Sequence, residues 1–434
     1  MALITKRIKG TQDVLPKESY RWQFIKKVLS DEAKNFGYKE IRTPVFENTK
    51  LFERGVGETT DVVQKEMYTF ETKGGDMITL RPEGTAGTAR AVLENALPNE
   101  GLPIKAYYFL SCYRYEKPQS GRLREFHQFG VECFGAENPA ADAEVISMLC
   151  SIFERLGVKN LSLEINSIGC KECRKNYHEA LKVYFEKYKD ELCETCLSRL
   201  SRNPMRILDC KSPICKKIAE GAPKIIDFLC DDCKEHFEKV KSYLDANGIN
   251  YTVNPNIVRG LDYYSKTVFE FVSTDLGAQS TVCGGGRYDG LIEELGGQPL
   301  PSLGFGLGLE RLLLLLDAQN IEIEKPEPCE IYFASMGDDA NKKAFELANV
   351  LRTAGVFTEF DIVGRGLRPQ MKYADKIGAK YSIVIGDDEL QKNKAEIKNM
   401  SNGNKYEITL DKEKIISDFL EIKIKDELPS LEVQ

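Results

Sequence analysis

The sequence predicts an α+β protein: a largely antiparallel sheet, interrupted by a helical insertion rich in cysteine and followed by a small α/β domain. Three observations carry this. Runs rich in aromatic and β-branched residues come in hairpin order with few helical patterns between them, which argues against a parallel nucleotide-binding sheet. A Lys- and Glu-rich stretch from about Cys170 to about Asn250 has no strand run and holds eight of the thirteen cysteines. After Lys325-Pro-Glu-Pro328, strand and helix patterns alternate with short connections.

The elements follow in order. Tyr20, Phe24, Val28 and Leu29 recur at helical spacing between Ser19 and Phe36, and Gly37 stands where a helix stop is expected. Tyr38 to Thr43 then reads as an edge strand closed by Pro44. Ala106 to Arg114 and Phe126 to Gly135 read as antiparallel strands flanking the polar loop Glu116 to Glu125. In the second of these strands Phe126, Gln128, Gly130 and Glu132 share parity and therefore one face. Three of the four are wrong for a buried face, so that face should line a ligand site.

Helical periodicity marks Tyr177 to Tyr188 and Phe237 to Leu244 inside the cysteine-rich stretch. Beyond it, Ile257 to Leu261, Thr267 to Val272 and Gln279 to Cys283 are further strand candidates, and Gly304 to Gly308 leads into an apolar helix, Leu309 to Leu316. In the last domain Glu330 to Ser335, Phe357 to Ile362 and Tyr381 to Gly386 read as strands of a mainly parallel sheet, with helices at Asn341 to Thr353 and Gln370 to Gly378. The expected boundaries are 1–168 with 254–325 for the split main domain, 169–253 for the insertion, 328–425 for the α/β domain, and 426–434 for a frayed tail.

Composition excludes several classes. At 434 residues the chain exceeds the size at which single cores stop growing. The amino terminus lacks an apolar stretch of signal-peptide length, and the aliphatic run Leu312 to Leu316 is far short of a membrane span, so a soluble, cytoplasmic protein is expected. Thirteen cysteines in that setting read as reduced thiols or metal ligands, not as a disulfide framework. The net charge of −7 gives no global footprint for nucleic acid. Local cation density exists, with Arg365, Arg368, Lys372, Lys376 and Lys380 set against Asp375 between Val363 and Lys380.

The most informative run is Arg259-Gly260-Leu261-Asp262-Tyr263-Tyr264, a permanent cation beside two phenols next to an apolar strand. Alone it reads equally well as half-buried tyrosines and a surface ion pair. It is accompanied by Thr79-Leu80-Arg81-Pro82-Glu83-Gly84-Thr85, Tyr113-Arg114-Tyr115-Glu116, Gly284-Gly285-Gly286-Arg287-Tyr288-Asp289-Gly290 and Gly304-Phe305-Gly306-Leu307-Gly308-Leu309-Glu310-Arg311. Neither glycine run has the Walker spacing, and the second lacks the setting of a dinucleotide fold. Both read better as close backbone approach, where a flat ligand or a neighbouring strand packs directly on the chain.

Together these segments resemble the histidyl-tRNA synthetases, a class II aminoacyl-tRNA synthetase family, over nearly the whole chain. The resemblance implies a class II synthetase sheet, an anticodon-binding role for the last domain, and a homodimer built on the first helix and the Pro44 strand. It further implies an enzyme that activates histidine with ATP, releasing pyrophosphate, and transfers it to the terminal ribose of tRNA(His).

Such a reaction brings two anions together, so cations at the meeting point are the main requirement. Arginine suits this because its planar fork grips phosphate and stays protonated. The resemblance makes Arg259 and Arg114 catalytic and assigns ATP to Arg114, Glu116, Phe126 and Arg311, with Mg²⁺ accompanying the nucleotide. Histidine falls to Glu83, Gly84, Thr85, Arg114, Gln128, Glu132, Arg259, Tyr263 and Tyr264. The ammonium would meet Glu83, Thr85 and Gln128, and the imidazole, one donor and one acceptor, would meet Glu132 and Tyr264. The loop 117–125 would approach the acceptor end of tRNA.

Two other readings compete. A non-catalytic relative, the regulatory subunit of an ATP phosphoribosyltransferase, should lose the Arg259 segment or the last domain, and this chain has both. A sibling synthetase for threonine, proline or glycine is opposed by the tyrosine pair and Glu132. The insertion cysteines Cys170, Cys173, Cys193, Cys196, Cys210, Cys215, Cys230 and Cys233 have the spacing of structural zinc sites, without a catalytic part. The four pairs can combine into two sites in three ways that sequence does not rank.

Overall fold

The computed structural model describes residues 4–57, 60, 62–210, 212–257, 259 and 261–431. These form two compact units, Met1–Ile323 and Glu324–Gln434.

Helix α1 (Pro16–Asn35) begins three residues earlier than the periodicity suggested, because Pro16 at its first position has no N–H to waste there. Ile25, Leu29 and Ala33, four apart, are its buried stripe, and Gly37 takes the left-handed conformation after its end. Strand β1 (Lys39–Glu40) follows, then β2 (Phe46–Asn48), α2 (Thr49–Val56), β3 (Tyr68–Glu71) and β4 (Met77–Leu80). Strands β2, β4 and β3 make a small antiparallel sheet. Helix α3 (Thr85–Glu94) leads to β5 (Ile104–Tyr113) and β6 (Glu125–Phe134), the two antiparallel strands expected.

Helix α4 (Pro139–Arg155), β7 (Leu161–Ser167), helices α5 (Lys171–Glu186), α6 (Glu194–Arg202), α7 (Pro213–Glu220) and α8 (Asp231–Ala246), and β8 (Thr252–Val253) come next. The unit closes with β9 (Ser265–Ser273), β10 (Thr281–Arg287), α9 (Leu291–Glu294), β11 (Ser302–Gly308) and α10 (Leu309–Ala318). The strand expected at Ile257 to Leu261 is not formed: Ile257, Arg259 and Leu261 are irregular, and Val258 and Gly260 lie outside the described residues. There the chain leaves the sheet, which frees the Arg259 side chain to lie across its neighbours.

The large sheet has the order β1-β5-β6-β11-β10-β9-β7-β8, antiparallel throughout except for the short parallel strands at its two edges. One face is core, where Phe129, Val131, Phe269, Phe271, Leu303 and Phe305 meet apolar residues of α1, α4, α8 and α10. Parity therefore turns Gln128, Gly130 and Glu132 to the other face. Helix α8 packs through Phe237, Val240 and Leu244 into this same core, while Tyr177, Leu181 and Phe185 of α5 join a second core with Tyr263 and Tyr264. Arg287, fully buried, is held by a forked pair with Asp142, its Nε and Nη2 lying 2.9 and 2.7 Å from Oδ2.

In the second unit β12 (Ile331–Ser335), α11 (Asp338–Thr353), β13 (Thr358–Phe360), α12 (Leu367–Lys376) and β14 (Tyr381–Ile385) follow the expected alternation. Helix α13 (Asp387–Lys392), β15 (Lys394–Asn399), β16 (Lys405–Thr409) and α14 (Ile415–Leu431) complete it. Its sheet, β13-β12-β14-β15-β16, is parallel on one side and antiparallel on the other, not mainly parallel. The tail expected to fray from 426 continues α14 through Leu431. Asp426 anchors it, accepting from Asn399 Nδ2 at 2.7 Å and from the Tyr381 hydroxyl at 3.1 Å.

Candidate active site

The site is built on glycines. Gly130 of β6 pairs with Gly306 of β11, which pairs with Gly284 of β10, which pairs with Glu270 of β9, so one row across four strands is almost bare backbone. Side chains lie flat over that row. A Cβ on Gly130 would sit 2.4 Å from the Tyr108 ring, one on Gly306 2.1 Å from Gln128 Nε2, and one on Gly284 2.6 Å from Arg259 Nη1. In the next row a Cβ on Gly304 would sit 2.1 Å from Glu132 Oε2. The glycines thus serve close approach, with the protein's own polar side chains as the packed groups.

Arg259 pairs with Glu270 and lies 5.5 Å from the Tyr264 ring, while its buried Nε has no hydrogen-bond partner among the described residues. Arg114, just past β5, donates from Nε to the Pro82 carbonyl at 2.9 Å and stands 5.3 Å over the Phe126 ring. Arg311, in the first turn of α10, donates to the carbonyls of Gly121 at 3.0 Å and Thr281 at 2.7 Å. Burial and the charges of Arg122 and Arg114 lower its pKa, the signature of cations gathered in one place. Arg114, Arg122, Arg259, Arg311, Phe126 and Glu116 line one cavity of about 300 Å³.

A second cavity, of about 570 Å³, shares Arg114, Arg122, Gln128, Arg259, Gly284 and Gly306 with the first, and adds Glu83, Thr85, Tyr263 and Tyr264. Glu83 accepts the first amides of α3, Thr85 N–H at 2.7 Å and Ala86 N–H at 2.8 Å. Burial pushes its carboxyl up while those amides pull it down. Gly84 stands between them, where a Cβ would sit 2.4 Å from the Tyr108 ring. Tyr263 and Tyr264 pack ring to ring at 4.7 Å, and Tyr263 meets Tyr288 at 5.4 Å.

Glu132 lies behind the cavity wall, fully buried. Its Oε1 accepts from the Thr85 hydroxyl at 2.7 Å and the Tyr108 hydroxyl at 2.9 Å, and Oε2 accepts from the Tyr288 hydroxyl. With no cation on these oxygens among the described residues, burial pushes the carboxyl up to about 8 against the pull of three hydroxyls.

The expected residues thus gather around two joined cavities, with Glu132 and Gly84 set back from the lining. Glu116 is at the wall but engaged, its Oε1 accepting from Arg122 Nη2 at 2.9 Å. Sequence reasoning missed Arg122, Glu270, Tyr108 and Tyr288. Arg122 sat in the polar loop expected to approach the acceptor end of tRNA, and was not itself singled out. Glu270 alternates with core-facing Phe269 and Phe271, and Tyr108 has the parity of Arg114; either pattern could have revealed them. The eight insertion cysteines form two groups of four, and Cys193 and Cys210 of one group reach the larger cavity.

A family model described as histidyl-tRNA synthetase matches residues 10–172 and 217–312, and one described as anticodon binding domain matches residues 330–417. A histidine–tRNA ligase of Clostridium perfringens is 55% identical over 410 residues, covering 94% of this chain and 98% of the relative. One of Clostridium novyi is 56% identical over 402 residues, covering 93% and 96%. The crystal structure of the apo histidyl-tRNA synthetase of S. aureus is similar with a TM-score of 0.81 and 44% identity, over 95% of this chain and 100% of that one. A Bacillus halodurans structure, titled ATP phosphoribosyltransferase regulatory subunit/histidyl-tRNA synthetase, reaches a TM-score of 0.63 at 22% identity, over 89% of this chain and 99% of that one.

Proposed function

The chain belongs to the histidyl-tRNA synthetase family, and from that premise we propose how its residues divide the work of a histidine–tRNA ligase. The enzyme joins the histidine carboxylate to the α-phosphorus of ATP, expelling pyrophosphate, and then passes histidine to the 3′-terminal ribose of tRNA(His). The regulatory-subunit reading has less behind it, since its structural neighbour is similar in fold at 22% identity.

ATP enters as its Mg²⁺ complex, the metal offsetting phosphate charge. The adenine lies against Phe126, where Arg114 already stacks, and the phosphates run between Arg114 and Arg311. Arg259 faces the carboxylate and the α-phosphate together, since it lines both cavities. It stabilises the charge that grows as the new bond forms. Glu270 and Tyr264 hold its guanidinium flat over Gly284, so little reorganisation is needed during the reaction.

Histidine takes the second cavity. Its ammonium meets Glu83, Thr85 and Gln128, with Gly84 keeping that turn close, and Tyr264 faces the ring with Tyr263 alongside. Glu132 receives the imidazole once Thr85 or Tyr288 yields its hydrogen bond. Aliphatic competitors would leave these buried polar groups unpaired, a discrimination of roughly 10⁴-fold. The observation that carries the reading is that Arg259, Tyr264 and Glu83 line one cavity with Arg114, which continues into the arginine-lined one. Pyrophosphate exchange measured with each amino acid in turn tests it; exchange with histidine alone is expected.

Residues 328–425 bind the anticodon, and loop 117–125, with Arg122, meets the acceptor end. Two chains associate through α1 and the segment at Pro44. Among the described residues no helix is long and apolar enough to cross a membrane, in keeping with a cytoplasmic enzyme. Structural zinc in the insertion belongs to this reading too, with no part in either step.

A further inference from the structure

The fold selects one of the three ways of combining the cysteine pairs. Cys170 and Cys230 cap the N-termini of α5 and α8, with Cys173 and Cys233 one turn in, and these four sulfurs lie within 4.8 Å of one another. Cys193 caps α6 with Cys196 one turn in; Cys215 lies in the first turn of α7 and Cys210 just ahead of it, and these four meet the same limit. The first pair in sequence is thus matched with the last, and the second with the third. Cys193, Cys196, Cys210 and Cys215 fall between the two stretches that the family model matches.

We propose that these groups are two mononuclear zinc sites, each of four thiolates. Bonds of about 2.3 Å from a tetrahedral Zn²⁺ place neighbouring sulfurs about 3.8 Å apart. The Sγ atoms of Cys170 and Cys173 are 3.5 Å apart, and those of Cys193 and Cys210 are 3.8 Å apart. A disulfide would require about 2.05 Å. The setting also suits thiolate. Cys173 Sγ accepts the Cys230 N–H at 3.1 Å, Cys215 Sγ the Cys193 N–H at 3.3 Å, and Cys210 Sγ the Ser212 N–H at 3.4 Å. Each group lies at two helix N-termini, whose partial positive charge favours sulfur as an anion. Borderline-soft zinc takes such thiolate sets in closed structural sites.

The sites fasten the insertion to the pocket. Arg174, next to Cys173, donates to the Tyr264 carbonyl at 2.6 Å. Asn203 and Arg206, on the arm between Cys196 and Cys210, donate to Asp262 Oδ1 at 3.2 and 3.0 Å.

The test is elemental analysis of the full chain purified without chelator under reducing conditions, with expected content of about two zinc ions per chain. Cys173→Ser and Cys196→Ser should each remove one, and together both, while Cys150→Ser removes none. A thiol-blocking mercurial added to the unaltered protein should release both ions, which avoids reliance on variants that fold poorly. Zinc under about 0.2 per chain with native circular dichroism would mean reduced thiols and overturn the proposal, as would iron in place of zinc. Retention of one ion by the Cys173→Ser, Cys196→Ser double variant, or loss of both from a Cys173→Ser, Cys233→Ser double variant with its fold intact, would overturn the pairing. Metal content is read independently of aminoacylation, so either conclusion can fail without the other.

Discussion

The guanidinium of Arg259 lies where a side chain on Gly284 would begin, the added Cβ falling 2.6 Å from Nη1. The obstructed atom is the far end of a flexible side chain, so a methyl group there should displace the arginine at little cost to the fold. Gly284→Ala is therefore expected to slow pyrophosphate exchange roughly 10²-fold while its unfolding midpoint stays near that of the parent. Full exchange would show that Arg259 need not lie flat to act.

Removing that cation is the harsher version. Arg259→Ala should cut adenylate formation several hundred-fold or more, with histidine affinity less affected, because a cation acting on developing charge supplies roughly 3 kcal/mol at the transition state. Near-normal exchange would sink the active-site assignment.

Glu132→Gln keeps an acceptor for Thr85 and Tyr108 but exchanges an ionisable group for a neutral amide. The Michaelis constant for histidine should rise about tenfold, with a smaller change in that for ATP. An unchanged constant for histidine would mean that Glu132 stays behind the wall and does not meet the imidazole.

Glu132 also makes stability depend on pH. Its carboxyl stands near 8 when folded, against about 4.3 in an unfolded chain, so between these values the unfolded state binds fewer protons. The contribution of this group then favours unfolding increasingly as pH rises from about 4.3 to 8, and levels off above. Glu132→Gln lacks it, so the melting temperature of the variant minus that of the parent should grow across this window. A constant difference would place the carboxyl's titration elsewhere.

Asp142 serves the frame. Arg287 is fully buried, and Asp142→Ala would leave its charge without the forked carboxylate, at a cost of roughly 3–5 kcal/mol in denaturant unfolding. A loss below about 1 kcal/mol would mean that Asp289, 3.3 Å from Nη1, and the carbonyls of Ala136 and Asn138 suffice.

Deleting residues from 328 onward removes most of the second compact unit. Adenylate synthesis should persist in part and tRNA charging should fall sharply. Charging equal to that of the full chain would remove the anticodon role.

What could be read from sequence followed period. Two-residue alternation in 126–132 marked the side of β6 turned away from the core because its residue types are wrong for a core, and the glycine runs marked close approach, though over Gly284 and Gly306 it is the chain's own side chains that pack there. Tyr108 escaped because an aromatic residue on a strand ordinarily means packing, and Tyr288 because it lies just past β10; parity could place Tyr108 on the face of Arg114, but that both hydroxyls meet at Glu132 is set by which strands lie side by side. Strands β15, Lys394-Ala-Glu-Ile-Lys-Asn, and β16, Lys405-Tyr-Glu-Ile-Thr, do alternate polar with apolar residues, but they are short and rich in Lys and Glu, poor strand formers, so the antiparallel half of the second sheet went unread. The α14 extension depends on Asp426 meeting Tyr381, Tyr406 and Asn399, contacts with no local signal. Pairing of the cysteines was undetermined for a similar reason, since it is set by which helix ends meet.

Because Arg174, Asn203 and Arg206 grip Asp262 and the Tyr264 carbonyl, the insertion and the two-tyrosine segment form one mechanical body joined by hydrogen bonds that carry information both ways. Through that coupling a ligand that steadies the tyrosines also steadies the insertion, and whatever steadies the insertion favours the ligand by the same coupling free energy. Amide exchange and protease cutting between residues 174 and 206 then become a gauge of pocket occupancy read from the insertion, whose Cys193, Thr195, Arg199 and Arg206 stand along the larger cavity.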